Sequence, residues 1–161
     1  MKNARVALLL SLAAGLVLAA LYFASLVSRR RAAERLEQAR DIGRFASPEF
    51  PLNRGLVLLV FLSTDCSHCL ETARQIATFD AAAHDLRITF ILLGRPAEVE
   101  PFFQSVGTWT PYQLATPQDY ADFAGEDPPT LYLLSHGSVL AQWSGSHFNL
   151  DVLSAELSRR R

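Results

Sequence analysis

An α/β fold is predicted by three stretches of this sequence. The run Leu56-Val57-Leu58-Leu59-Val60-Phe61-Leu62 is apolar and rich in branched side chains without alternation, the pattern of a strand buried on both faces. Directly after it, Cys66-Ser67-His68-Cys69 opens a segment in which Leu70, Ala73, Ile76, Ala77 and Phe79 recur at helical spacing. A second apolar run then covers residues 87–93. Strand, helix and strand in this order call for a parallel pair joined by a right-handed crossover.

The helix behind the cysteines is expected over about 66–83, with Cys66 in its first turn. Gly94-Arg95-Pro96 stops the second strand. Pro96 and Pro101 are tolerated only in or before a first turn, so a short helix with Phe102, Phe103 and Val106 inward is expected to begin near residues 98–101. Gly107 ends it. Residues 112–115 read as a short strand, and Thr116 and Pro117 as the N-cap and first position of a helix running to about Ala124. After a rigid loop over 125–129, residues 130–134 and 139–144 flank Ser135-His136-Gly137-Ser138 as a β-hairpin. A last helix starts at about Asn149 or Asp151 and carries Leu150, Val152, Leu153 and Leu157.

The N-terminal part has a different character. From Val6 to Val27 there is no charged residue, and at about 1.5 Å per residue such a helix spans the hydrocarbon layer of a membrane. Tyr22 and Phe23 suit an interfacial position near its far end. A cleaved signal peptide is the rival reading: Lys2 and Arg5 make a basic start, and Ala13-Ala14-Gly15 has the small-residue pattern of a cleavage site. The apolar run continues well past that site, which favours a retained anchor. Residues 28–44 are rich in Arg, Glu and Ala, and the pairs Arg30/Glu34 and Glu37/Arg40 support an exposed helical stalk. The expected organisation is an anchor over 1–28, a juxtamembrane stalk over 29–49 and one globular domain over 50–161.

Half of the residues are apolar and the net charge is −1. Arginines cluster at 29–31 and 159–161 and do not stripe a face with aromatics, so no nucleic-acid partner is expected. The chain has two cysteines, both in one motif. A separate structural disulfide is thereby excluded, leaving a redox-active pair, part of a metal site, or inert buried thiols. Tetrahedral zinc asks for more nitrogen and sulfur ligands than one Cys-x-x-Cys offers. A copper site would have to add a remote histidine, His136 or His147, to the dithiol. A helix start, by contrast, offers unpaired backbone N–H groups and the positive end of the macrodipole, which stabilise a thiolate at Cys66. His68, between the cysteines, would add to that effect, whereas Asp65 would oppose it.

Taken together, Cys66-Ser67-His68-Cys69 at a strand-to-helix junction and Pro129-Thr130 at the start of a hairpin resemble the thioredoxin superfamily. The additional elements over about 97–115 make the chain similar to the membrane-anchored periplasmic thioredoxin-like proteins of bacteria, the TlpA-like group. The resemblance covers about 50–158 and implies a thioredoxin-like fold and a thiol:disulfide oxidoreductase without an organic cofactor or metal. It implies catalytic roles for Cys66, Cys69, Pro129 and His68, a redox-active disulfide between Cys66 and Cys69, and substrate binding at Pro129 and Thr130. Pro129 would be cis and lie against the dithiol. Cys-x-His-Cys occurs in strongly oxidising members of the superfamily. Two departures stand out: Asp65 replaces the usual aromatic residue, and Pro128 removes an N–H that relatives can offer to a bound peptide.

The implied partners are protein thiols or disulfides, with a membrane electron donor or acceptor as a further candidate. The implied location is a bacterial inner membrane, single-pass through residues 6–27, with the domain in the periplasm. Basic residues argue the other way, because Arg29, Arg30, Arg31, Arg35 and Arg40 follow the apolar segment and only Lys2 and Arg5 precede it. A metal-handling protein using the dithiol as ligands, and a catalytically silent adaptor, remain the alternative functions.

Overall fold

The computed structural model describes residues 42–125 and 127–159, together with Tyr22. The anchor expected over 6–27 and the stalk as far as residue 41 lie outside the described residues, Tyr22 excepted. Among the described residues no helix is long and apolar enough to cross a membrane. The chain divides into two units, Met1–Gln38 and Ala39–Arg161, and the elements below belong to the second.

Strands β1 (Leu56–Ser63), β2 (Leu86–Leu93), β3 (Tyr112–Leu114), β4 (Thr130–Ser135) and β5 (Ser138–Ser144) alternate with helices α1 (Ser67–Ala77), α2 (Pro96–Val106), α3 (Pro117–Ala124) and α4 (Leu150–Ser158). The sheet is five-stranded in the order β3-β2-β1-β4-β5 among the described residues. β2 runs parallel to β1 and β3, whereas β4 is antiparallel to both β1 and β5. β1 is the middle strand because its sequence has no polar face to give to water. Its alternate side chains feed two cores. Leu58, Val60 and Leu62 pack with Cys69, Ala73 and Ile76 of α1, with Phe102 and Phe103 of α2 and with Leu153 and Leu157 of α4. Val57, Leu59 and Phe61 pack on the other face with Tyr120 and Phe123 of α3.

That second core reaches back before residue 50. Ile42 and Phe45 are buried in it, and the Phe45 ring meets Phe61 edge-on at 5.2 Å and Phe123 at 5.3 Å. Such aromatic pairs contribute about 0.5–1.5 kcal/mol each beyond the area they bury. The described structure therefore includes the short helical turn Gly43–Phe45 in the packed unit, although the charge pattern of 28–44 reads as a stalk.

Two helices differ from their sequence-based bounds. α1 ends at Ala77 rather than near residue 83. Its last turn tightens, with the N–H groups of Thr78 and Phe79 donating to Gln75 and Ile76 three residues back. Asp80 then accepts from the N–H of Ala83 at 3.2 Å and starts a separate short turn, Ala82–His84. α2 begins at Pro96, earlier than 98–101, and holds Pro101 in its interior. Pro96 is compatible with the first position because that N–H has no intrahelical partner. Pro101 forgoes the single N–H bond that would reach the carbonyl of Ala97. The hairpin closes on His136 and Gly137, both with positive φ (49° and 82°), as a two-residue turn matched to the strand twist requires.

Candidate active site

The site is built at the carboxyl end of β1. After Ser63 the strand leaves the sheet, yet the N–H of Thr64 still donates to the Leu93 carbonyl at 3.0 Å and holds the turn to the end of β2. Cys66 follows in extended backbone (φ −102°, ψ 114°) as the N-cap of α1, not as a residue of its first turn. In that position its sulfur takes the place of a capping oxygen. The backbone N–H of Cys69 donates to Cys66 Sγ at 3.1 Å, so one of the orphan donors at the helix start points at the sulfur that would carry charge. The Cys66 carbonyl accepts from the N–H of Leu70 at 3.1 Å.

Cys66 and Cys69 are joined by a disulfide, with Cα atoms 5.2 Å apart. Their exposures differ sharply. Cys69 is 0 % exposed and packs in the core beside Ala73, whereas Cys66 lies only partly buried at the edge of the same cluster. Asp65, Ser67 and His68 are exposed. An incoming sulfur can therefore reach Cys66 and is screened from Cys69.

The loop before β4 lies beside this turn. Phe61 pairs with Thr130 across the β1–β4 ladder, which brings Pro128 and Pro129 alongside the end of β1. The Pro128–Pro129 peptide bond is cis. Pro129 is buried, and its carbonyl accepts from the N–H of Gly145 at 2.8 Å. Thr130, where substrate contact is expected, also has a structural part. Its side chain is 1 % exposed and its hydroxyl donates to the Ala124 carbonyl, tying the end of α3 to β4.

The two remote histidines separate. His136 sits in the hairpin turn next to Ser135, which pairs with Leu56 at the far end of β1, so it is a strand's length from the dithiol. Its Nδ1 lies 3.0 Å from the Ser135 hydroxyl. His147 belongs to the turn Gly145–His147 after β5, at the dithiol end, and is exposed. Among the described residues no group of three or more His, Cys, Asp or Glu is placed to hold a metal ion.

One part of the site has no counterpart in the motif reading. The hydroxyl of Thr64 donates to Glu98 Oε2 at 2.9 Å, and the same oxygen accepts from the backbone N–H of Arg95 at 2.9 Å. The Arg95 guanidinium pairs with the other oxygen. Glu98 thus caps α2 at its third position and clamps the turn that leads to Cys66. A side chain at Gly94 would collide with Thr64, so this close approach depends on the glycine. The signal was present as Arg95-Pro96-Ala97-Glu98, a proline at the first helical position and an acid at the third.

The backbone N–H of Arg95, then its guanidinium and the Thr64 hydroxyl, hold the Glu98 carboxyl below its ordinary value of 4.5. A carboxyl with a depressed folded-state pKa adds stability above its unfolded value, and that stability is lost as pH falls through the folded one. Wild-type protein should therefore exceed Glu98→Gln in urea-unfolding stability above pH 4.5, with the gap closing as the pH drops below it. A gap that stays constant into acid would show that the clamp works without the charge.

No known family profile matches the chain, and no curated protein matches it by sequence. Solved structures do match. The thiol:disulfide interchange protein DsbE of Chlorobium tepidum is similar at 16% identity and TM-score 0.55, covering 67% of this chain and 81% of that one. StoA of Bacillus subtilis is similar at 18% identity and TM-score 0.53, covering 63% and 81%. A secreted disulfide oxidoreductase of Mycobacterium tuberculosis, homologous to E. coli DsbE, is similar at 13% identity and TM-score 0.55, covering 67% and 84%. At such identities the likeness is one of fold, a thioredoxin-like arrangement of a mixed sheet flanked by helices.

Proposed function

We propose that the protein is a membrane-tethered thiol:disulfide oxidoreductase whose working group is the Cys66–Cys69 dithiol. The observation that carries the reading is the unequal exposure of a bonded pair at a helix start: Cys66 reachable with its sulfur on an N–H, Cys69 buried behind it. In the reduced form the Cys66 thiolate attacks a partner's disulfide, forms a mixed disulfide and releases one partner thiolate, which takes up a proton. The Cys69 thiol gives up its proton and attacks Cys66 Sγ. The Cys66–Cys69 bond forms and the second partner sulfur leaves as a thiol, so two electrons have passed from this protein to the partner. With a reducing partner the same steps run backwards. Pro129 shapes the wall beside Cys66, and His68 stabilises its thiolate as an exposed polar neighbour. The similar proteins named as disulfide oxidoreductases or interchange proteins support the assignment.

The metal-handling alternative is weaker for a geometric reason. With His136 at the opposite end of β1, only His147 is left as a remote imidazole at the dithiol end.

A Cys69→Ala variant tests the assignment. It should accumulate mixed disulfides through Cys66 with protein partners in the native host, visible as reductant-sensitive high-mass bands. Adducts absent from Cys69→Ala, or unchanged when Cys66 is also replaced, would contradict the assignment.

For the location we propose a bacterial inner membrane, with residues 6–27 as the anchor and the domain in the periplasm. A tethered dithiol catalyst is most useful where soluble thioredoxin does not reach, and disulfides persist there. Alkaline phosphatase fused after Arg161 should be active and green fluorescent protein dark. The opposite pattern would put the domain in the cytoplasm, as the arginine count at 29–40 suggests.

A further inference from the structure

Beside the dithiol lies a cavity of about 240 Å³, with Thr64, Asp65, Leu70, Glu98, Pro101 and Phe102 in its wall. Thr64 and Asp65 lead directly into Cys66, and Leu70 follows it by one helical turn, so the cavity lies next to the turn that carries Cys66. Its character is mixed. Leu70, Pro101 and Phe102 make an apolar surface, and the other side carries two carboxylates.

Those carboxylates are not equivalent. Glu98 is held by the Thr64 hydroxyl and by both the N–H and guanidinium of Arg95. Asp65 is exposed and makes no hydrogen bond or ion pair among the described residues. The cations nearby are already matched: Arg95 by Glu98, and Arg74 by Glu71 at 4.0 Å, with Arg74 Nε also donating to the Ser105 carbonyl at 2.8 Å. The uncompensated charge at this wall is therefore the Asp65 carboxylate, one residue from Cys66.

We propose that this cavity is a specificity pocket for the partner protein. It receives an apolar side chain near the partner's reactive cysteine while Asp65 pairs with a basic side chain beside that cysteine. The proposal rests on the oxidoreductase reading and adds to it a substrate class: cysteines in basic, apolar segments. It also gives Asp65 a role that offsets its unfavourable effect on the Cys66 thiolate. Charge complementarity of this kind acts on encounter rate and on choice of partner. The wall is preformed, because the Thr64–Glu98 clamp holds the turn against α2 before any partner arrives.

The test uses the oxidised full chain and synthetic peptides with one cysteine each. A peptide thiolate attacks Cys66 Sγ, the Cys66–Cys69 bond breaks, Cys69 leaves as a thiolate and a peptide–Cys66 disulfide forms. Rates are measured at low salt for peptides whose cysteine is flanked by leucine with arginine, leucine with glutamate, or alanine with arginine. The arginine peptide should react about two- to fivefold faster than the glutamate peptide, the range of an exposed ion pair. Part of any such ratio is the peptide's own thiol reactivity. The decisive quantity is therefore the change in the ratio: Asp65→Lys should lower or invert it. Ala97→Trp, which places an indole at the exposed rim of the cavity, should bring the leucine-to-alanine ratio to one. Ratios identical in wild type and both variants would overturn the pocket while leaving the oxidoreductase reading in place. Peptide thiols that fail to open the disulfide at any flanking sequence, although dithiothreitol opens it, would overturn the reading itself and the pocket with it.

Discussion

A single hydrogen bond lies at the centre of the candidate site: the N–H of Cys69 donating to the sulfur of Cys66 across the start of α1. It exists only because Cys66 occupies the N-cap, a position fixed from two directions. β1 is the middle strand of the sheet and cannot shift register without exposing residues that now fill both cores. α1 is held down by Cys69, Ala73 and Ile76, all buried against that strand. The cysteine between them is left in extended backbone with an orphan donor pointing at it. Disulfide closure follows from this geometry, since an N-cap and the third helical residue are close enough to bond.

The surroundings of this turn are made rigid by parts of the chain distant in sequence. Thr64 reaches across to Leu93 and Glu98, and the absence of a side chain at Gly94 lets the two turns approach. On the other flank the β1–β4 ladder brings the cis Pro128–Pro129 bond alongside. Thr130 anchors that loop from inside through Ala124. Cys66 thus sits between two fixed walls, one lined by prolines and one by the Asp65 carboxylate and an apolar cavity. Only the exposed faces of Ser67, His68 and Asp65 are free to differ without disturbing the core.

The sequence showed what burial dictates and missed what contacts between distant residues dictate. The unbroken apolar run of β1 and the Thr116-Pro117 helix start carry their cause within a few neighbouring residues and lie where expected, whereas the hairpin turn is two residues, shorter than the four expected between its strands, and Cys66 stands one place earlier, at the N-cap. The apolar spacing, which continues through Phe79, predicts a longer α1, whereas local hydrogen bonds of Thr78 and Asp80 end the helix first. Treating Pro101 as a first-turn residue puts the start of α2 too late. Once the helix start is placed at Pro96, Glu98 becomes a capping residue and the clamp on Thr64 comes into view. The burial of Ile42 and Phe45 was hidden by their charged neighbours, and the structural use of the Thr130 hydroxyl by its place in a motif associated with substrate.

The claim on which the rest depends is that the N-cap geometry favours a thiolate at Cys66. It is most directly measured as the pH dependence of Cys66 alkylation in reduced Cys69→Ala protein, which keeps the N–H at residue 69. The geometry predicts an apparent pKa below that of a free cysteine. A value at or above that of a free thiol would mean that the hydrogen bond to the sulfur does not do this work, and the assignment of Cys66 as the attacking residue would fall with it.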